Sequence, residues 1–119
     1  DVSTLDIDGL DVRSGLSRVM GRSTLYLSLL RKFPGSQGDT VEQIRQAIAA
    51  DDWSKAERMA HTLKGVAGTI GANALQALAD DVNQKLKTRQ ERAVLDEALE
   101  QLETVLVHLS NDLQRLPPA

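Results

Sequence analysis

Cysteine is absent from the 119-residue sequence, which excludes disulfides, thiolate metal sites and cysteine nucleophiles and gives no reason to expect an oxidising compartment. Aromatic side chains are nearly absent too. Tyr26, Phe33 and Trp53 are all there are, too few to stack a run of bases. With 14 Lys+Arg against 17 Asp+Glu the formal charge is -3, so nucleic acid is not an expected partner. No apolar run approaches the roughly 20 residues that cross a bilayer. The start, Asp1-Val2-Ser3-Thr4-Leu5-Asp6, has neither the basic nor the apolar region of a signal peptide. A cytoplasmic protein without direct membrane contact is expected. The missing initial Met fits a piece cut from a longer polypeptide.

What is present points to helices. Hydrophobic residues make up 41% and charged residues 26%, the balance of an ordinary globular domain, and the length suits a single one over residues 1–119. Leu, Ala, Gln, Glu and Arg recur, whereas turn-bounded β-branched and aromatic runs are missing, so the fold class is read as all-α. Residues 1–8 and 117–119 read as tails, and a short helix is expected near 10–20, ending around Gly21. Ser23 is placed to cap a helix carrying Leu25, Leu27, Leu29, Leu30 and Phe33, which Pro34 and the glycines after it should stop. Asp39 or Thr40, with Glu42 or Gln43 three residues on, reads as a capping box for a helix on Val41, Ile44, Ala47 and Ile48. Further helices are expected over about 53–70, 73–87 on Leu75, Leu78, Val82 and Leu86, and 92–116. The last carries Leu95, Leu99, Leu102, Leu106, Leu109, Leu113 and Leu116, and such a seam behind shorter amphipathic helices predicts an antiparallel four-helix bundle with additional short N-terminal helices.

The helix over 53–70 carries the chemistry. Its core stripe is Ala56, Ala60, Leu63, Ala67 and Ile70, and at about 100° per residue His61 projects roughly 140° away from it. Gly65 and Gly68 lie beside His61, although each glycine inside a helix costs about 0.8–1.0 kcal/mol relative to Ala. Two readings follow from the pattern. Either the glycines clear the surface so that another protein reaches the imidazole, or they admit a neighbouring helix and His61 is an ordinary surface residue. Lys64, one turn on, is placed to meet the oxygens of a phosphoryl group on His61. A neutral imidazole is a competent nucleophile towards phosphorus near pH 7.

The run Ala60-His61-Thr62-Leu63-Lys64-Gly65, followed by Gly68, Ile70-Gly71-Ala72 and Leu75, resembles the signature of the histidine-containing phosphotransfer (HPt) domain family. Tyr26, Leu29, Leu30 and Phe33 resemble the family's helix ahead of the bundle. Asp51-Asp52 leading into the histidine's helix resembles its usual approach, so the likeness spans about residues 10–110. Where many members carry Leu-Glu in the next helix, this chain has Val82-Asn83, and a partner contact through that glutamate is not carried over.

The resemblance implies a relay step in two-component signalling. His61 would accept a phosphoryl group from an aspartyl phosphate on a response-regulator receiver domain and pass it to another receiver, with Lys64 stabilising the group. Glu57, Gly65, Gly68 and Ala72 would face the partner. Such domains often form the C-terminal module of a bacterial hybrid sensor kinase, here a monomeric phosphohistidine carrier with no ATP site of its own. No cofactor would be bound, Mg2+ being supplied by the receiver. Two motifs fail in agreement with this. Gly65, Gly68 and Gly71 are followed by no Gly-Lys-Ser/Thr, and Glu57 with His61 lacks the second Glu-x-x-His pair of a di-metal bundle. His108, without a Lys-Gly companion, reads as a boundary residue, and Trp53 as a core anchor. From another functional class, the alternative is a helical docking module that binds through the Gly65/Gly68 face without phosphate chemistry.

Overall fold

In the computed structural model, residues 2–117 are described, with the side chain of Ser3 excepted. They form a 3-10 turn at Val2–Thr4 and six helices: α1 (Val12–Arg18), α2 (Ser23–Gln37), α3 (Thr40–Ala49), α4 (Trp53–Ile70), α5 (Asn73–Lys87) and α6 (Arg92–Gln114). There is no strand among the described residues, and the all-α expectation holds. The core is built from one stripe per helix. Tyr26, Leu30 and Phe33 of α2 join Ile44 of α3, Leu63 of α4, Leu86 of α5 and the leucines of α6 in one core, each at 2% exposure or less.

Long-range bonds reveal the topology. Tyr26 bonds to Ile70, Arg31 to the Pro117 carbonyl and Arg45 to Glu103. As α2 and α3 run forward along one side, α4 and α6 therefore run back past them. α5 lies antiparallel between α4 and α6, giving four columns with α2 and α3 sharing one. The molecule measures 45 × 22 × 20 Å.

Helices α4 and α5 begin and end where the sequence places them, and α6 ends at Gln114, leaving Leu116 half-buried beyond it. The chain ahead of α4 departs from expectation. Pro34 sits inside α2, which continues to Gln37. A proline forfeits one helical hydrogen bond, but Leu30 and Phe33 pin the preceding turn to the core at 0% and 1% exposure, and packing outweighs the lost bond. Ser23 is the first residue of α2 and Arg22 occupies the cap position without a side-chain bond. Asp39 does not cap α3 through its side chain, and Thr40, the first residue of the helix, donates from Oγ1 to Gln37 Oε1 at 3.0 Å. Residues 2–8, expected as a tail, lie against the protein, Val2 being 6% exposed and Leu5 and Ile7 packing on the core. Their apolar side chains gain more from cover than the segment loses in freedom. Of the expected C-terminal tail, Pro117 accepts a bond from Arg31 Nε at 2.9 Å, and residues 118 and 119 lie outside the described residues, as does Asp1.

Candidate functional site around His61

Helix α4 is fixed at both ends. At its start the Asp52 carboxylate accepts from the Lys55 amide at 3.1 Å, satisfying one of the free N–H groups. At its end Gly71 takes the left-handed conformation, φ 84°. The amides of Gly71 and Ala72 bond back to Gly68 and Ala67, the paired bonds of a Schellman stop. Two remaining carbonyls find outside partners. The Tyr26 hydroxyl donates to Ile70 O at 2.7 Å and the Asp11 amide to Gly71 O at 2.8 Å. A Cβ at Gly71 would run into the Asp11 carbonyl, and one at Gly15 of α1 into Ile70 O and the Tyr26 ring. Glycines thus let α1 close over the end of α4. Burial desolvates the Tyr26 phenol and, with a smaller push from Asp11, raises its pKa to about 12, so it stays a donor.

Between these anchors the Ala56, Ala60, Leu63, Ala67 and Ile70 stripe is buried at 0–1% exposure, and His61 faces solvent from the opposite side. Gly65 is exposed and a Cβ there would meet nothing within 4 Å. Gly68 is different. It is buried, and a Cβ there would collide with the Gln76 amide of α5. The two sequence readings of the glycines are therefore divided between them: Gly65 leaves the flank of His61 open, while Gly68 admits the side chain of a neighbouring helix. Ala72 has 0% exposure and cannot touch a partner. Gly68 and Ala72 are accordingly corrected from partner-facing to packing residues, because the Gly71 turn folds α5 onto that side of α4. Glu57 is half-buried one turn before His61.

On the α2 side of His61 lies a groove of about 560 Å³. Leu29, Phe33, Val66 and Ile70 give it an apolar floor, and Lys32, Ser36, His61, Thr62, Gly65 and Thr69 form its margins. The Thr69 hydroxyl is turned to the Gly65 carbonyl at 3.0 Å. On the α5 side, Lys64 Nζ lies 3.0 Å from Asp80 Oδ1. The Lys64 ammonium, with a smaller contribution from Gln84, holds the Asp80 carboxyl below its usual range. Asp80, Gln76 and the α2 wall escaped the sequence reading. A signal for the first two existed, since Gly68 with Gln76 and Lys64 with Asp80 are equidistant from the turn at Ala72, as antiparallel helices require.

His108 sits elsewhere, exposed on α6, with Nε2 3.3 Å from Asp8 Oδ2 and 3.5 Å from Asp112 Oδ2. Trp53 is half-buried. Its Nε1 donates to Asp51 Oδ1 at 2.7 Å and the Arg89 guanidinium lies 4.4 Å from the ring centroid, so it ties the turn before α4 to the turn after α5.

A nucleophilic imidazole held outward on a rigid helix, with one flank bare and an ammonium one turn away, is suited to receiving a group from another macromolecule. Residues 28–116 match the Hpt domain family, a span that includes His61, Lys64 and both walls of the groove. The chain belongs to the Hpt domain family. It is therefore a phosphotransfer domain of two-component relays. A solved structure of the HPT domain from the Hpt sensor hybrid histidine kinase of Shewanella is similar in fold, with a TM-score of 0.78 over 92% of this chain and 94% of that one at 23% identity. No curated protein matches the sequence. Helix α1, which closes the end of α4 in this Hpt domain, precedes the matched residues. No helix among the described residues is long and apolar enough to cross a membrane.

Proposed function

We propose that His61 is the phosphoacceptor, taking a phosphoryl group from the aspartyl phosphate of one receiver domain and giving it to the aspartate of another. The observation that carries this is the exposure of His61 beside Gly65, where a side chain would have open space and none is present. In the first step an imidazole lone pair attacks phosphorus, the N–P bond forms, and the acyl-phosphate P–O bond breaks with its electron pair leaving on the aspartate carboxylate. The second step reverses this on the next receiver. Lys64 offsets the charge of the phosphoryl oxygens. The domain works as a monomer in the cytoplasm, binds no cofactor or nucleic acid, and relies on the receiver's Mg2+. Its groove and the Glu57 and Gly65 surface meet the receiver.

Incubation with a phosphorylated receiver should label the wild-type protein and the His108→Gln variant and leave His61→Gln unlabelled. Wild-type labelling of His61→Gln would refute the assignment. A receiver that binds the wild-type protein without transferring label would favour the docking module instead.

A further inference from the structure

Lys64 is placed for phosphate chemistry, yet in the resting protein its ammonium is already paired with a carboxylate on another helix. We propose that Asp80 is a positioning residue, holding the Lys64 ammonium against α5 while His61 is unmodified and yielding it to the phosphoryl group as that group arrives. The inference rests on the reading of His61 and Lys64 given above.

Three observations support it. The Nζ to Oδ1 distance is 3.0 Å, so the ammonium is engaged rather than free. The side chains are 37% and 41% exposed, and although Asp80 Oδ1 itself is covered, an ion pair at the surface is weak enough to exchange, whereas a phosphoryl group offers several anionic oxygens to the same ammonium. Asp80 also has other support. Gln84 and Lys87 lie close enough to favour its charge, so the carboxylate is not abandoned when Lys64 leaves. The register explains why the hold is directional. Gln76 covers Gly68 and Asp80 meets Lys64, which draws the lysine towards α5 and away from the groove on the α2 side.

The competition has a measurable sign. Asp80 favours the unphosphorylated state because it binds Lys64 best when no phosphoryl group competes, so neutralising it should speed phosphorylation of His61. Phosphoramidate, a small donor that needs no receiver, is the probe, with the fraction of phosphohistidine followed by intact-protein mass spectrometry. Asp80→Asn should be labelled about two- to fivefold faster than wild type, the range expected of an exposed pair. Asp80→Glu should restore the slower rate, and Asp80→Ser serves as a second neutral variant. The gain should vanish in the Lys64→Ala background, a coupling that a change in fold stability alone would not produce. An equal gain with and without Lys64 would mean that the carboxylate acts by its own field, and would overturn the proposal, as would an unchanged or slower Asp80→Asn. Failure of the underlying reading looks different: a wild-type protein that takes no label on His61, or a Lys64→Ala protein labelled at the wild-type rate, removes the basis for both.

Discussion

The Tyr26 hydroxyl donates to the Ile70 carbonyl from a position with no solvent exposure. Only the neutral phenol can make that bond. Because the folded-state pKa is raised from 10.0 to about 12, the contribution is complete below about pH 10 and is lost as pH rises through that window. Tyr26→Phe should lower stability at pH 7 by about 1–3 kcal/mol, since it leaves a buried carbonyl without its partner. Chemical denaturation across pH 7–12 checks both points: the wild-type curve should fall above about pH 10 and the variant's should be flatter. The motif residues His61, Lys64 and Gly65 were readable in the sequence because local helical geometry sets where they face. The roles of Gly68 and Ala72 were not, because the helix that covers them arrives only after the Gly71 turn.

Helix α4 is an amphipathic element that tolerates one glycine for access and ends on another for geometry. Gly65→Ala meets no obstacle and should raise stability by about 0.8–1.0 kcal/mol, the intrinsic helix preference. Gly65→Gln should keep the melting temperature and slow transfer from a phosphorylated receiver, because its side chain would stand beside the imidazole. Unfolding of the Gln variant would show the position to be a packing site after all. Gly71→Ala should behave oppositely. Its φ of 84° and the Asp11 carbonyl against any Cβ predict a loss of at least about 1–2 kcal/mol, read as a lower denaturation midpoint. In α2 the local rule failed in another way: a proline that should end a helix is carried within it because the residues just before it are buried.

Across the whole molecule, α6 is the backbone of the core. Leu95, Leu99, Leu102, Leu106, Leu109 and Leu113 are each 2% exposed or less, on a helix packed against α2, α3 and α5. Leu102→Ala should cost about 2–5 kcal/mol through lost burial and a cavity, measured by urea denaturation, and the folded fraction should still accept phosphate on His61. Asn83 runs the other way. It is 2% exposed and its Oδ1 has no hydrogen-bond partner among the described residues. Asn83→Leu should raise stability by about 1 kcal/mol, read from the denaturation midpoint, because a buried amide whose oxygen is unpaired is replaced by an apolar group.

The helical class, the extents of α4 and α5, the leucine seam of α6 and the outward face of His61 follow from residue order, because each depends on a period of 3.6 residues or on a local stop such as Gly71. That Pro34 is tolerated, that residues 2–8 pack, that Gly68 lies beneath Gln76, that a groove opens between α2 and α4, and that Lys64 meets Asp80 all come from the packing of the helices. Each of those depends on how two segments distant in the chain are brought together, and the free energy of packing between them exceeds the local preferences that can be read one residue at a time.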